Sequence, residues 1–188
     1  ERPPSVALTL PSIEALIRRL PAPKNWQAHR DQAMVVLAAS AGLRFRELRE
    51  LEIVQFVPSP RGLEVQPHGR TARSREVLLD PTAAEFLRGW LAMRTGLRFE
   101  PASSLAFPHK TGKILPANTF YRRTRKLLET LAGEGVLPRF GAGVLRASFA
   151  HRYARSDQLA QAQYALGHRR ITSTLRYLKH LKPVTPKL

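Results

Sequence analysis

From Leu145 to Tyr177 the apolar residues return at helical spacing, and this periodicity limits what the chain can become. Leu145, Phe149 and Tyr153 recur at i, i+4 and i+8, one face of a helix. Leu159, Ala162 and Leu166 repeat the pattern one helix later. Gly167 stands where a helix C-terminus takes a residue that tolerates positive φ. Thr172 can cap the next helix with its hydroxyl. The polar residues left between the stripes are Arg146, His168 and Tyr177. A cation, an imidazole and a phenol brought together by helix turns suit an anionic, phosphate-like substrate.

The rest of the chain reads as helices around a little β-structure. Residues 1–6 form a linker with Pro3-Pro4, and Thr9-Leu10-Pro11 opens a helix. Its stripe is Ile13, Leu16, Ile17 and Leu20, and Pro21-Ala22-Pro23 ends it. A second helix runs from about Trp26 to Ala41, with Ala33, Met34, Leu37 and Ala38 inward and Gly42 as its stop. Arg46 to Leu51 makes a further turn or two of helix. Gly62 to Gln66 alternates like a strand, His68 to Ser74 is a basic turn, and Arg75 to Leu79 returns as a second strand. Asp80-Pro81 is a cap followed by proline, and the helix it starts carries Ala84, Phe86, Leu87 and Leu91 to a stop near Gly96. Leu105 to Phe107 is short enough for a third strand, and Lys110 to Lys113 is a basic turn around Gly112. Asn118 to Ala132 is a long helix with Phe120, Thr124, Leu127, Leu128 and Leu131 on one face and Arg122, Arg125 and Lys126 on the other. The expected fold is one α+β domain over residues 1–188, mainly α with a small antiparallel sheet of about three strands.

Charge narrows the partners. Lys and Arg number 31 against 14 Asp and Glu, a net charge of +17 spread along the chain. A folded domain with this balance is expected to meet a polyanion. Composition alone also fits a ribosome-like or merely basic protein. Without cysteine there is neither a disulfide framework nor a thiolate metal site. No apolar run approaches the roughly 20 residues of a membrane span, so no membrane partner is expected. No signal peptide is visible, which makes the cytoplasm the default location, with nucleoid association if the protein is bacterial. The chain opens with Glu1 rather than Met, as a fragment of a longer protein would.

Three short boxes resemble the tyrosine recombinases, or phage integrases. Their C-terminal signature is His-x-Leu-Arg, then Leu-Gly-His, then a tyrosine nine positions after that histidine. Val144-Leu145-Arg146, Leu166-Gly167-His168 and Tyr177 follow this order and spacing. Upstream, Gly42-Leu43-Arg44-Phe45-Arg46-Glu47-Leu48 is similar to the family's Thr-Gly-Leu-Arg-x-x-Glu-Leu box, with Ala41 in the threonine's place. The resemblance covers nearly all of Val6 to His180. It implies that Arg44 and Arg146 clamp the scissile phosphate, where a guanidinium fork meets non-bridging oxygens bidentately and keeps its charge. It implies that Tyr177 attacks phosphorus and becomes joined to the DNA 3′ phosphate. His168 would hydrogen-bond a phosphate oxygen or help move a proton. Glu47 matches the acidic position that supports the arginines. The reaction conserves bond energy, so no cofactor, ATP or metal is implied.

Taken singly, each of these residues has an ordinary reading. Arg44 would be a solvated residue after a helix stop, and Tyr177 would pack with Leu175 and Leu178. His168 would cap a helix dipole, and Glu47 would be an exposed helix residue. His151 and His180 belong to no box and read as surface or groove residues. Arg122, Arg125, Lys126 and Lys110 are the expected DNA-backbone contacts.

Two positions depart from the family pattern. Gly143 stands where the first histidine belongs, and Arg70 stands where a hairpin lysine gives the leaving oxygen its proton. Arginine is a poor acid, whereas lysine can be tuned down. Lys110 and Lys113 could substitute from another turn. The expected function is therefore a site-specific recombinase or integrase catalytic domain, with reduced activity if those two groups matter. The alternatives are a DNA-binding relative acting as accessory or regulator, and a plain basic helical domain that binds DNA or RNA. The family's separate N-terminal helical domain is expected to be absent from this chain. Self-association on DNA is possible for the family, but the 11 residues after Tyr177 include Pro183 and Pro186, which argues against a helix donated to a neighbour.

Overall fold

Ala33-Met34-Val35-Val36-Leu37-Ala38-Ala39 has no polar side, and a helix apolar all round belongs in an interior. A computed structural model, describing residues 6–8, 13–67, 75–132, 143–154, 158–179 and 182–184, puts that stretch at the centre. It lies on α2 (Trp26–Ala41), where Gln32 to Ala41 are all buried. Asn25 caps α2, its side-chain oxygen accepting from the Ala28 amide at 2.9 Å. Packed around α2 are α1 (Ile13–Arg18), α4 (Pro81–Gly96), α5 (Ala117–Ala132) and α6 (Gly143–Ala154). Leu16 on α1 is buried, with Ile17 and Leu20 at the margin of the core. The expected helix start at Thr9 to Pro11 lies outside the described residues, as does the Ile13 side chain.

Asp80 and Pro81 start α4 as the sequence predicts, the Asp80 carboxylate accepting from the Thr82 and Ala83 amides. Along with Ala84 and Leu87, α4 buries Trp90 completely, which the sequence reading passed over. α5 also matches expectation, with Phe120, Thr124 and Leu128 buried and Arg122, Arg125 and Lys126 exposed. The Leu131 side chain lies outside the described residues.

The sheet differs from expectation in its membership. Its order is β2 (Phe56–Ser59), β3 (Gly62–Val65), β4 (Val77–Leu78), all antiparallel. β2 escaped the sequence reading because Pro58 interrupts it, and proline is tolerated here since β2 is an edge. Leu105 to Phe107 is not a third strand. Leu105 makes only an isolated bridge to Glu52. Two backbone bonds flank that bridge, Ala106 amide to Leu51 and Ile53 amide to Ser104, and side chains of α4 hold the other side: Trp90 Nε1 donates to the Ala106 carbonyl, and Arg94 donates to Leu105 and Ser103. The expected second strand begins two residues late, so Arg75 precedes β4 rather than lying in it.

After α6 come α7 (Leu159–Leu166) and α8 (Ile171–Lys179). Gly167 ends α7 with φ 62°, as expected. Thr172 lies inside the first turn of α8 and is not its cap, because the helix already begins at Ile171. Val6, expected to close the linker, opens β1 (Val6–Leu8), which pairs in parallel with β5 (Lys182–Val184). That pairing joins opposite ends of the chain and has no local signal. Among the described residues no helix is long and apolar enough to cross a membrane.

Candidate active site

The last turn of α7 leaves its carbonyls without intrahelical partners, and its dipole makes that end receptive to cations. Three consecutive carbonyls there are taken by three arginines from three parts of the chain. Arg75 Nε donates to Ala165 at 2.8 Å, Arg146 Nη2 to Leu166 at 2.6 Å, and Arg44 Nη2 to Gly167 at 3.4 Å. Arg44 precedes α3 (Phe45–Glu50), Arg146 sits in the second turn of α6, and Arg75 precedes β4. Arg75 and Arg146 are buried.

Two glycines permit this approach. Gly42 ends α2 with φ 60°, and a Cβ there would lie 2.4 Å from the Phe149 ring of α6. Its carbonyl accepts from Arg146 Nη1, so the stop of α2 is also a tether for α6. At Gly167, also left-handed, a Cβ would stand 2.9 Å from Arg75 Nη1.

Glu47 anchors the cluster from below. Its two oxygens accept from Arg75 Nη1 and Nη2 at 2.9 and 2.8 Å, a bidentate pair buried on both sides. One of them also accepts from the Arg44 amide at 2.6 Å, fixing the start of α3. Burial pushes the Glu47 carboxyl up, but hydrogen bonding and charge from Arg75, the Arg44 amide and Arg146 outweigh it and hold the group below its ordinary value. Glu47 is thus a buried support, and the exposed-residue reading fails.

His168 follows the α7 stop and touches both Arg146 and α8. Arg146 Nη2 lies 3.2 Å from His168 Nε2, and His168 Nδ1 lies 2.9 Å from Thr174 Oγ1. A guanidinium can only donate, so Nε2 accepts and Nδ1–H donates to Thr174. Thr174 is fully buried. Burial, then the charges of Arg146, Arg44 and Arg75, lower the imidazole pKa to about 4. His168 is therefore a neutral acceptor that orients the Arg146 fork.

Arg44, Glu47, Arg146 and His168 thus converge, as their order in the chain suggests. Tyr177 lies on α8 three positions beyond Thr174, with its side chain outside the described residues. Arg70 and His180 also lie outside them. Gly143 opens α6 one turn before Arg146 and presents no side chain. Phe45, beside Arg44, stacks on Tyr121 of α5 with ring centroids 4.5 Å apart. Lys110 and Lys113 are exposed on the turn around Gly112, and His151 is half-buried on α6. Sequence reasoning missed Arg75 and Thr174. Arg75 sat inside an expected strand, and nothing local links it to Glu47.

Residues 7–183 match the phage integrase family, and the chain belongs to it. Over 151 residues it is 35% identical to tyrosine recombinase XerC of Azotobacter vinelandii, covering 80% of this chain and 48% of that protein. XerC of Yersinia pestis is 34% identical over 151 residues, with the same coverage. The chain therefore spans about half the length of the curated relatives it matches. Among solved structures, XerH site-specific recombinase in a post-cleavage complex with palindromic difH substrate superposes with a TM-score of 0.78 at 21% identity, over 93% of this chain and 50% of that one. XerA recombinase gives 0.73 at 22% identity, over 92% and 60%. These likenesses establish the fold, mainly α with a small antiparallel sheet.

Proposed function

We propose that this chain is the catalytic domain of a site-specific tyrosine recombinase, which cuts and rejoins double-stranded DNA strands through Tyr177. The convergence of Arg44, Arg146 and His168 on the end of α7, with His168 bonded to Thr174 one helical turn before Tyr177 in α8, carries this reading. Carbonyl oxygens hold the two arginine forks where a phosphodiester could take their place. A charged acceptor makes a hydrogen bond roughly twice as strong as a neutral one, so the exchange favours phosphate. The phenolic oxygen of Tyr177 then gives up its proton and bonds to phosphorus, the bond to the 5′ oxygen breaks, that oxygen takes up a proton and leaves as a hydroxyl, and the protein is left joined to the 3′ phosphate. Attack by a 5′ hydroxyl reverses the step and rejoins a strand. The exposed Arg122, Arg125 and Lys126 of α5, with Lys110, would bind the flanking backbone. Self-association on DNA and a cytoplasmic setting accord with this function.

A nicked duplex that traps the cleaved product tests the reading. A covalent adduct should form on Tyr177, and Tyr177→Phe should bind DNA without forming it. An adduct undiminished in Tyr177→Phe would refute the assignment. If about six phosphates are neutralised, log K should fall with log salt at a slope of roughly −5.

One observation favours a second reading, a weakened or purely DNA-binding relative. Gly143 offers no side chain one turn before Arg146, and Arg70 replaces the family's proton donor. General acid–base help is worth about 10²- to 10⁴-fold per group. A substrate with sulfur as leaving atom needs no proton. If proton transfer alone is impaired, it should react while the ordinary substrate lags, and Arg70→Lys should narrow the gap. Inactivity on both substrates would favour the DNA-binding relative.

A further inference from the structure

Arg75 belongs to none of the sequence boxes, yet it is 1% exposed and in contact with both halves of the cluster. A buried guanidinium is costly unless its donors are met in good geometry. Here three are met in one plane: two by Glu47 and one by the Ala165 carbonyl. Glu47 fixes the amide of Arg44, whereas Ala165 lies on the turn that leads to His168. Those two anchors are far apart in sequence, and Arg75 is bonded to both. The neighbouring Glu76 amide donates to the Tyr164 hydroxyl at 3.1 Å, so β4 and α7 have a second tie that does not need Arg75.

We propose that Arg75 is a positioning residue for strand cleavage: its fork holds the Arg44 turn and the Gly167–His168 turn at fixed separation before DNA arrives. This rests on the recombinase reading. Arg44 and Arg146 can exchange carbonyls for phosphate oxygens, but Arg75 is locked by a carboxylate and keeps its place. The spacing between the phosphate clamps is then set in the free protein. A displacement near 1 Å at such a site can lower a rate about 100-fold.

The test compares wild type with Arg75→Gln, Arg75→Lys and Trp90→Phe, a core variant remote from the cluster that controls for lost stability. Two readouts are taken: the ¹⁵N shifts of the His168 imidazole without DNA, and single-turnover cleavage of a nicked duplex at saturation beside its Kd. Wild type should show one imidazole tautomer, protonated at Nδ1. Arg75→Gln should lose that single tautomer and cleave roughly 10- to 100-fold more slowly, with Kd changed less than about threefold. Arg75→Lys should recover only part of the rate, because one ammonium cannot span both Glu47 oxygens and the Ala165 carbonyl. Trp90→Phe should keep tautomer and rate. A folded Arg75→Gln with native tautomer and wild-type rate overturns the proposal. Should Arg75→Gln fail to fold, the same result in Arg75→Lys overturns it. If wild type does not cleave DNA, the recombinase reading fails separately, and the imidazole shifts alone decide whether Arg75 sets the turn.

Discussion

Two carboxylates in this protein, Asp31 and Glu47, are each gripped by arginine, yet the two clusters leave different partners for an incoming anion to displace. Asp31 divides its oxygens between two cations: Arg30 reaches Oδ1 at 2.6 Å and Arg123 reaches Oδ2 at 2.9 Å. Arg30 gives another donor to the Pro108 carbonyl and so pins the turn that carries Lys110. Glu47 gives both oxygens to Arg75, and the side chains of Arg44 and Arg146 gather on carbonyls nearby. An anion at the Asp31 cluster would have to break an ion pair. At the Glu47 cluster it would replace neutral carbonyls. The residue types are the same, and the number of arginines per carboxylate separates a brace from a binding site.

Removing each carboxylate should give the largest effects. Breaking a buried pair costs about 3–5 kcal/mol. Glu47→Gln should lose stability on that scale and also slow cleavage, because the Arg44 turn loses its anchor. Asp31→Asn should lose stability on a comparable scale, since it leaves Arg30, 1% exposed, without its counter-ion, but should keep the cleavage rate of its folded fraction. Denaturant unfolding with single-turnover cleavage checks both, and an unchanged rate in Glu47→Gln would erase the distinction between the clusters. Next in size, Arg146→Ala should lower cleavage at saturating DNA by about 10²- to 10³-fold, the usual loss for one donor to a developing oxyanion. Arg123→Ala should leave that rate within about twofold, because Arg123 bonds Asp31 and not the Glu47 cluster.

The smallest effect concerns pH. His168 is neutral in the folded protein, with a pKa near 4 against 6.5 ordinarily. The unfolded chain therefore takes up the proton first as pH falls. The stability linked to this group is complete above about pH 6.5 and is lost as pH falls toward about 4. For a partly buried ring, solvent screening leaves on the order of 1 kcal/mol. Unfolding curves for wild type and His168→Gln should diverge over that range. A bound phosphodiester offsets the three arginine charges, so DNA should raise the His168 pKa and binding below pH 6.5 should take up protons.

Local chemistry determined most of the helices and the identity of the candidate residues. The stops at Gly42 and Gly167, the cap at Asp80 and the apolar stripes are each written within a few neighbours, because capping and periodicity act over one or two helical turns. The boxes around Arg44, Arg146 and His168 were legible because each is a short run of neighbours that resembles the family signature. The tertiary structure alone decided what those residues face. Arg75 meets Glu47 across 28 positions and Ala165 across 90, and Arg44 reaches Gly167 across 123. β1 finds β5 at the other end of the chain, and Trp90 and Arg94 turn an expected strand at Leu105–Phe107 into a pinned segment. Such pairings follow from how helices pack around α2. No window of sequence contains both partners, so whether an arginine braces the fold or waits for a phosphate is settled only once the chain has closed on itself.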